Sequence, residues 1–278
     1  MQSIRMRFPG GKPKAFTTSY DDGVQQDVRL IGIMRQNGIH GTFNLNSGCF
    51  AAEGTVYPNG QVHRRMTLNE CLKAYAGSDI EVAAHGSTHP FLETLPTGNA
   101  MAQIIEDRRA LEKAFGCLVR GMAYPYGTYS NDVVDILRLA GIAYSRTVEA
   151  RLNFDIPVDW LRMGATCHHN HPALNDLGDR FVNDTPNREP WLFYLWGHAY
   201  EFEGDDNWPR IEAFLAKVGG REDVWYATNI EIYDYVRAFR ALISSADGRM
   251  IYNPSAIDVW AEIDAQIVRI PSGQAVIR

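Results

Sequence analysis

Short apolar, β-prone runs alternate with amphipathic stretches along nearly the whole of this 278-residue chain, and no other feature restricts its fold as much. The runs fall at 15–18, 42–46, 80–84, 121–124, 142–147, 161–164, 192–196 and 224–228. Helical periodicity occupies 24–36, 98–115, 131–140, 208–218 and 231–244. The first of these stops at Asn37-Gly38, a C-cap signal, and a further helix opens at Thr67-Leu68-Asn69-Glu70 with capping-box spacing. Such alternation predicts a parallel sheet with helices outside, and about eight strands favour a closed barrel over an open sheet. No G-x-G-x-x-G or Walker-type loop follows the first strand, which argues against a nucleotide fold. The segment 145–190, rich in His, Asn, Asp and Pro, reads as long loops around one strand. Residues 249–278 alternate as strands, with turns near Asp264-Ala265 and 271–273, and are expected to extend the 1–248 barrel as part of the same domain.

Composition narrows the partners. Hydrophobic residues make up 45%, enough for a sizeable core, and the net charge of −6 argues against nucleic acid or an anionic membrane as partner. No apolar run approaches the roughly 20 residues of a membrane span, and the basic N-terminus lacks the apolar core of a signal peptide. Cys49, Cys71, Cys117 and Cys167 form no CxxC pair, so reduced, buried thiols and a cytoplasmic location are expected.

In barrels of this type the reactive groups lie just past the carboxyl ends of the strands. The first run ends in "TTSYDDG", which closes on the adjacent carboxylates Asp21 and Asp22. The third ends in "HGSTH", placing His85 and His89 four residues apart, a spacing that lets two imidazoles converge on one ion. One of the two Asp residues would complete a two-His, one-carboxylate site, and its neighbour would stay free to take a proton. The seventh run, "WLFYLW", delivers His198 to the same rim, where an imidazole can protonate a leaving amine or alcohol. The turn at Tyr126-Gly127 offers backbone N–H groups to an oxyanion. Trp160, Trp196, Tyr200 and Trp208 are candidates for stacking on a substrate ring, and the cluster His168-His169-Asn170-His171 for the cleft wall first, with a second ion site or a polar loop as alternatives.

In order and spacing, "TTSYDDG", "HGSTH", "YPYG" and "LWGH" resemble the motifs of the metal-dependent polysaccharide deacetylases, over roughly residues 14–245. That resemblance implies a distorted (β/α) barrel of seven or eight parallel strands, with the 249–278 segment as a small β addition. It also implies hydrolysis of an N-acetyl, sometimes O-acetyl, group. By the family pattern Asp21 is the general base, Asp22, His85 and His89 the metal ligands, His198 the general acid and the Tyr126 N–H an oxyanion donor. The metal would be divalent, zinc first, with cobalt or nickel as substitutes. The sequence departs from the pattern where an arginine usually orients the base, since Ala123 stands there; Arg120 and Arg162 are the candidates to replace it, with Arg162 also a substrate-binding candidate. The fourth motif matches Asp159-Trp160 loosely. The alternatives are a hydrolase of small linear or cyclic amides on this scaffold, a carbohydrate-binding relative without chemistry, and an unrelated barrel enzyme.

Overall fold

The computed structural model describes residues 4–277. After the short strand β1 (Ile4–Arg7) come β2 (Lys14–Asp21), α1 (Asp27–Gln36), β3 (Gly41–Leu45), α2 (Leu68–Ala74), β4 (Ile80–Ala84) and α3 (Thr97–Phe115). Next are β5 (Gly121–Ala123), α4 (Asn131–Leu139), β6 (Tyr144–Ala150), β7 (Met163–Ala165), β8 (Cys167–His168), α5 (Leu174–Asn183) and β9 (Trp191–Gly197). The chain continues through α6 (Ala199–Gly204), α7 (Trp208–Val218), β10 (Val224–Tyr226) and α8 (Asn229–Arg240). It finishes in β11 (Ile243–Ser244), β12 (Met250–Tyr252), β13 (Val259–Ile263), β14 (Gln266–Ile270) and β15 (Ala275–Ile277).

The central strands are parallel in the order β7-β6-β5-β4-β3-β2-β9-β8, with β10 added against β2. Residues 163–168 serve both edges of this sheet. Met163 and Ala165 pair with β6, Cys167 and His168 pair with β9, and the Thr166 N–H between them donates to Tyr194 O at 2.8 Å. This link brings the edges together, giving the barrel that the alternation predicts, in the distorted form that the resemblance implies. β10 meets only the first three residues of β2, at the end of the barrel remote from Asp21.

The capping box at Thr67 and Glu70 forms, with reciprocal bonds of 3.2 and 2.7 Å. Three expectations need correction. The segment 145–190 contains α5, whose Leu174, Leu177, Gly178 and Phe181 form one buried face at i, i+3, i+4 and i+7. Gly178 lets α7 approach, since a Cβ there would lie 2.7 Å from the Phe214 ring. The last helix ends at Arg240 rather than 244, because Ile243 and Ser244 pair with β12 across the turn at Asp247-Gly248. Of the four thiols only Cys71 and Cys167 are buried; Cys49 is half-buried and Cys117 exposed.

The C-terminal addition consists of two small antiparallel sheets, β1-β13-β14 and β11-β12-β15. Asp264 and Ala265, at φ +50° and +65°, make the tight β13–β14 turn. Among the described residues no helix is long and apolar enough to cross a membrane.

Strand alternation sorts the residues of β2. Phe16 and Tyr20 join the apolar layer between strands and helices. Thr17, Ser19 and Asp21 take the other face, where Thr17 bonds Asn229 and Ser19 accepts from Asn44. Towards the opposite end, Glu81 ties the layers together by accepting from Tyr144 Oη (2.7 Å), Thr42 Oγ1 (2.8 Å) and Ile230 N–H (2.9 Å). Burial pushes the Glu81 carboxyl up to about 7, against the lowering effect of those bonds. The folded chain therefore keeps a proton that the unfolded chain gives up near pH 4.5. Stability should fall by roughly 2–3 kcal/mol as pH rises from about 4.5 to 7. Urea unfolding across that range checks this; Glu81→Gln should flatten the slope, and an unchanged slope would remove Glu81 as its source.

Candidate active site

Successive side chains on a strand point to opposite faces, so Asp21 and Asp22 cannot both reach one cleft while both remain in strand geometry. Asp21 is the last residue of β2, on the Thr17–Ser19 face. Asp22 then turns at φ +85°, outside the strand, and swings its carboxylate to the same side. Its N–H still bonds Asn44 O at 3.0 Å. His89 (φ +56°) and Tyr126 (φ +59°) are also left-handed, a conformation costing about 1–2 kcal/mol for a residue with a side chain. Backbone strain thus collects at this cleft, where functional sites commonly store it.

Each carboxylate has its own cation. Asp21 is 2% exposed; its Oδ1 accepts from Asn44 (2.8 Å) and its Oδ2 pairs with Arg146, which reaches across the barrel from β6. Asp22 pairs through Oδ1 with Arg65 (2.9 Å) and through Oδ2 with His63 (3.2 Å). Burial alone would raise both acids, but Arg146, His85 and His198 hold Asp21 below the usual carboxylate range. His63, His85 and Arg65 likewise hold Asp22 far below it. Both are ionised at neutral pH.

His85 and His89 complete the group. Burial lowers both, His89 to about 4, so both rings are neutral at pH 7. His85 Nδ1 donates to Ala123 O (2.8 Å), which leaves the Nε2 lone pair facing the cleft. Its loop is held by Asp107, which accepts from the His85 N–H (2.9 Å), and by the Asn46 amide, which donates to the His85 and Gly86 carbonyls. The two Nε2 atoms are 3.1 Å apart and lie 4.0 and 3.9 Å from Asp22 Oδ1. Two neutral imidazole nitrogens that close, with a carboxylate oxygen beside them, suit one small divalent cation. The donor set fits zinc.

His198, at the end of β9, turns Nε2 to within 3.8 Å of Asp21 Oδ2 and Nδ1 towards Glu201 Oε1 at 3.3 Å. Burial would lower this imidazole, yet the Glu201 contact and the Asp21 charge carry it above its ordinary value. Tyr126, Trp196 and Tyr200 line the same cleft. Trp160 and Arg162 are not brought to it. Trp160 packs edge-on to Tyr233 in the core, and Arg162 is committed to Asp159 and Asn131, each at 2.7 Å. Arg120 pairs with Asp234 and does not replace the missing arginine, and Trp208 is buried against Phe202. His168 is half-buried, His169 fully buried, and His171 accepts the Ala173 N–H in a polar loop.

The replacement is Arg146. Ala123 on β5 and Arg146 on β6 are register partners, so the guanidinium has moved one strand sideways at the same level of the barrel. An arginine inside an otherwise uncharged strand start, "AYSRT", signals a buried anionic partner, and that clue was readable. Arg65 and His63 come from a long loop and carried no comparable signal.

A family model described as polysaccharide deacetylase matches residues 9–145. Among solved structures, a Mycobacterium smegmatis protein assigned to the polysaccharide deacetylases aligns at 18% identity over 86% of this chain and 96% of its own, with a TM-score of 0.57. A mutant CE4 family pseudoenzyme from Bacillus anthracis, with restored enzymatic activity, aligns at 15% identity over 82% of this chain and 70% of its own, TM-score 0.50. A Streptococcus pyogenes deacetylase in complex with acetate aligns at 18% identity over 46% of this chain, TM-score 0.41, and this chain covers 54% of its length. At these identities the structural likeness is one of fold. No curated protein sequence matches the chain.

Arg146→Ala would leave Asp21 buried without its partner and is expected to destabilise the fold by about 3–5 kcal/mol. Adding Ala123→Arg should recover part of that loss from the neighbouring strand, as read by urea unfolding. An Arg146→Ala chain as stable as the parent would contradict the pairing.

Proposed function

Because this chain belongs to the polysaccharide deacetylase family, we propose that it hydrolyses an acetyl group, N-acetyl first and O-acetyl second, from a carbohydrate, using a divalent cation held by Asp22, His85 and His89. The observation that carries this reading is the division of partners between Asp21 and Asp22. Asp22 Oδ1 lies 4.0 and 3.9 Å from the Nε2 atoms of both His85 and His89; Asp21 Oδ2, 3.8 Å from that of His85 alone of the two, has its orientation fixed by Asn44 and Arg146.

The bound cation, zinc first with cobalt or nickel as substitutes, would supply Lewis acidity, of the kind that lowers the pKa of water from 15.7 to about 7. Asp21, ionised and held at both oxygens, accepts the proton of the attacking water. The Tyr126 N–H, presented by its left-handed turn, donates to the oxygen that becomes negative; one such donor is worth roughly 3–4 kcal/mol. His198, whose imidazole gains proton affinity from Glu201 and Asp21, protonates the departing nitrogen or oxygen from Nε2. Water's hydroxyl ends on the acyl carbon and its proton on the leaving group's side, giving acetate and a free amine or alcohol.

A sugar substrate is favoured over a small amide by the rim. Phe91 and Tyr126 stack at 3.8 Å and 12° and are 44% and 51% exposed, and the Tyr126 ring lies 4.5 Å from that of His89. Exposed aromatic faces beside the cleft suit the apolar face of a pyranose ring. Trp196 is less available, because Arg146 covers its ring at 4.2 Å.

The test is acetate release from N-acetylated oligosaccharides and from small linear and cyclic amides, by protein stripped with chelator and reloaded with Zn²⁺ or Co²⁺. Release should return with metal and favour the oligosaccharides, and Phe91→Ala should lower that preference several-fold without changing metal content. Metal-restored hydrolysis of amides alone would shift the reading to an amide hydrolase. Glycan binding without release would shift it to a non-catalytic relative.

A further inference from the structure

A second histidine cluster adjoins the cleft. Glu201, in the first turn of α6, has Oε2 at 3.1 Å from His168 Nε2 and 2.9 Å from His169 Nε2, while Oε1 faces His198 Nδ1 at 3.3 Å. By spacing alone His168, His198 and Glu201 suit a cation. The protons argue otherwise. The Asn170 N–H donates to His168 Nδ1 at 3.1 Å, so the neutral ring carries its hydrogen on Nε2, the atom turned to Glu201. A protonated nitrogen cannot ligate a metal. His169 is fully buried, its ring laid against β9 where Gly197 leaves room; a Cβ at 197 would lie 2.0 Å from His169 Nδ1.

We propose that Glu201 is the positioning residue of His198: flanked at Oε2 by the rings of His168 and His169, it accepts the Nδ1 proton of His198 at Oε1 and so leaves Nε2, towards Asp21, as the atom that carries the mobile proton. The inference rests on the reading of His198 as proton donor. Asp159 is committed elsewhere, capping the Leu161 N–H at 3.1 Å and pairing with Arg162.

The arrangement makes a specific demand on Glu201→Gln. The amide must put its oxygen, not its NH₂, towards the His168 Nε2–H, so the NH₂ faces His198 Nδ1. That inverts the imidazole: Nδ1 becomes the acceptor and the neutral ring carries its hydrogen on Nε2. The protonated ring is then opposed by a donor, and proton delivery fails. An amide in place of the carboxylate that fixes a catalytic imidazole can cost about 10⁴ in turnover.

The experiment is ¹⁵N NMR of histidine-labelled, zinc-loaded protein, with the His198 signals identified by their loss in His198→Gln, beside steady-state kinetics and elemental analysis. The parent should show neutral His198 protonated on Nδ1, and Glu201→Gln should show it protonated on Nε2. In the same variant kcat should fall by about 10²–10⁴ with KM nearly unchanged. Nε2 protonation in the parent, or an unchanged tautomer and kcat in Glu201→Gln, would overturn the proposal. So would two zinc ions per chain falling to one in Glu201→Gln, which would make the cluster a cation site. The tautomer is read without turnover, so a chain that releases no acetate loses its proposed function and not this result.

Discussion

Two ionised carboxylates on consecutive residues cannot be buried at the mouth of a barrel without countercharge, because each repels the other and burial penalises both. Arg146 and Arg65 supply it separately. Arg146 reaches Asp21 from the far side of the barrel, at 1% exposure and stacked on Trp196; Arg65 reaches Asp22 from the loop between β3 and α2. The separation gives the carboxylates different surroundings. Asp21 is locked at both oxygens, an arrangement suited to a fixed base. Asp22 keeps Oδ1 within 4.0 Å of two neutral imidazole nitrogens, an arrangement suited to a ligand. Arg65 also donates to the Asn46 side chain, which bonds the His85 and Gly86 carbonyls, and Gly86 O in turn accepts from the His89 N–H, so the loop and both histidines are one connected unit.

The barrel places these groups by strand register and departs from regular strand geometry at the rim. Alternation on β2 sends Ser19 and Asp21 inward, and the left-handed turn at Asp22 adds a second carboxylate to the same face. Comparable turns at His89 and Tyr126 aim the second imidazole and a backbone N–H. Backbone strain at three positions is thus the cost of converging groups that regular strands would scatter.

Much of this was legible in the sequence because it is periodic or local. The strand ends carrying Asp21, His85 and His198 followed from apolar runs of strand length, and the Thr67–Glu70 capping box from spacing. What escaped was long-range or hidden by composition. Arg146 replaces an arginine missing at Ala123, but only the β5–β6 register reveals that the two positions are neighbours. Helix α5 lay inside a stretch whose His, Asn and Pro content reads as loop, although Leu174, Leu177 and Phe181 carried its period. The antiparallel pairing of β1 with β13 joins residues some 250 apart, beyond any local pattern. Residue type and a loose match to the fourth motif point Trp160 to the cleft, and the missing arginine points Arg162 there, but packing sends one to the core and the other to a surface pair.

The division of labour between the paired carboxylates is the claim on which the rest turns. It is tested most directly by comparing Asp21→Asn with Asp22→Asn for bound zinc and for acetate release from the same acetylated oligosaccharide. Asp21→Asn should keep its metal and lose turnover, whereas Asp22→Asn should lose both. Equal metal retention in the two variants, or normal turnover in Asp21→Asn, would contradict it.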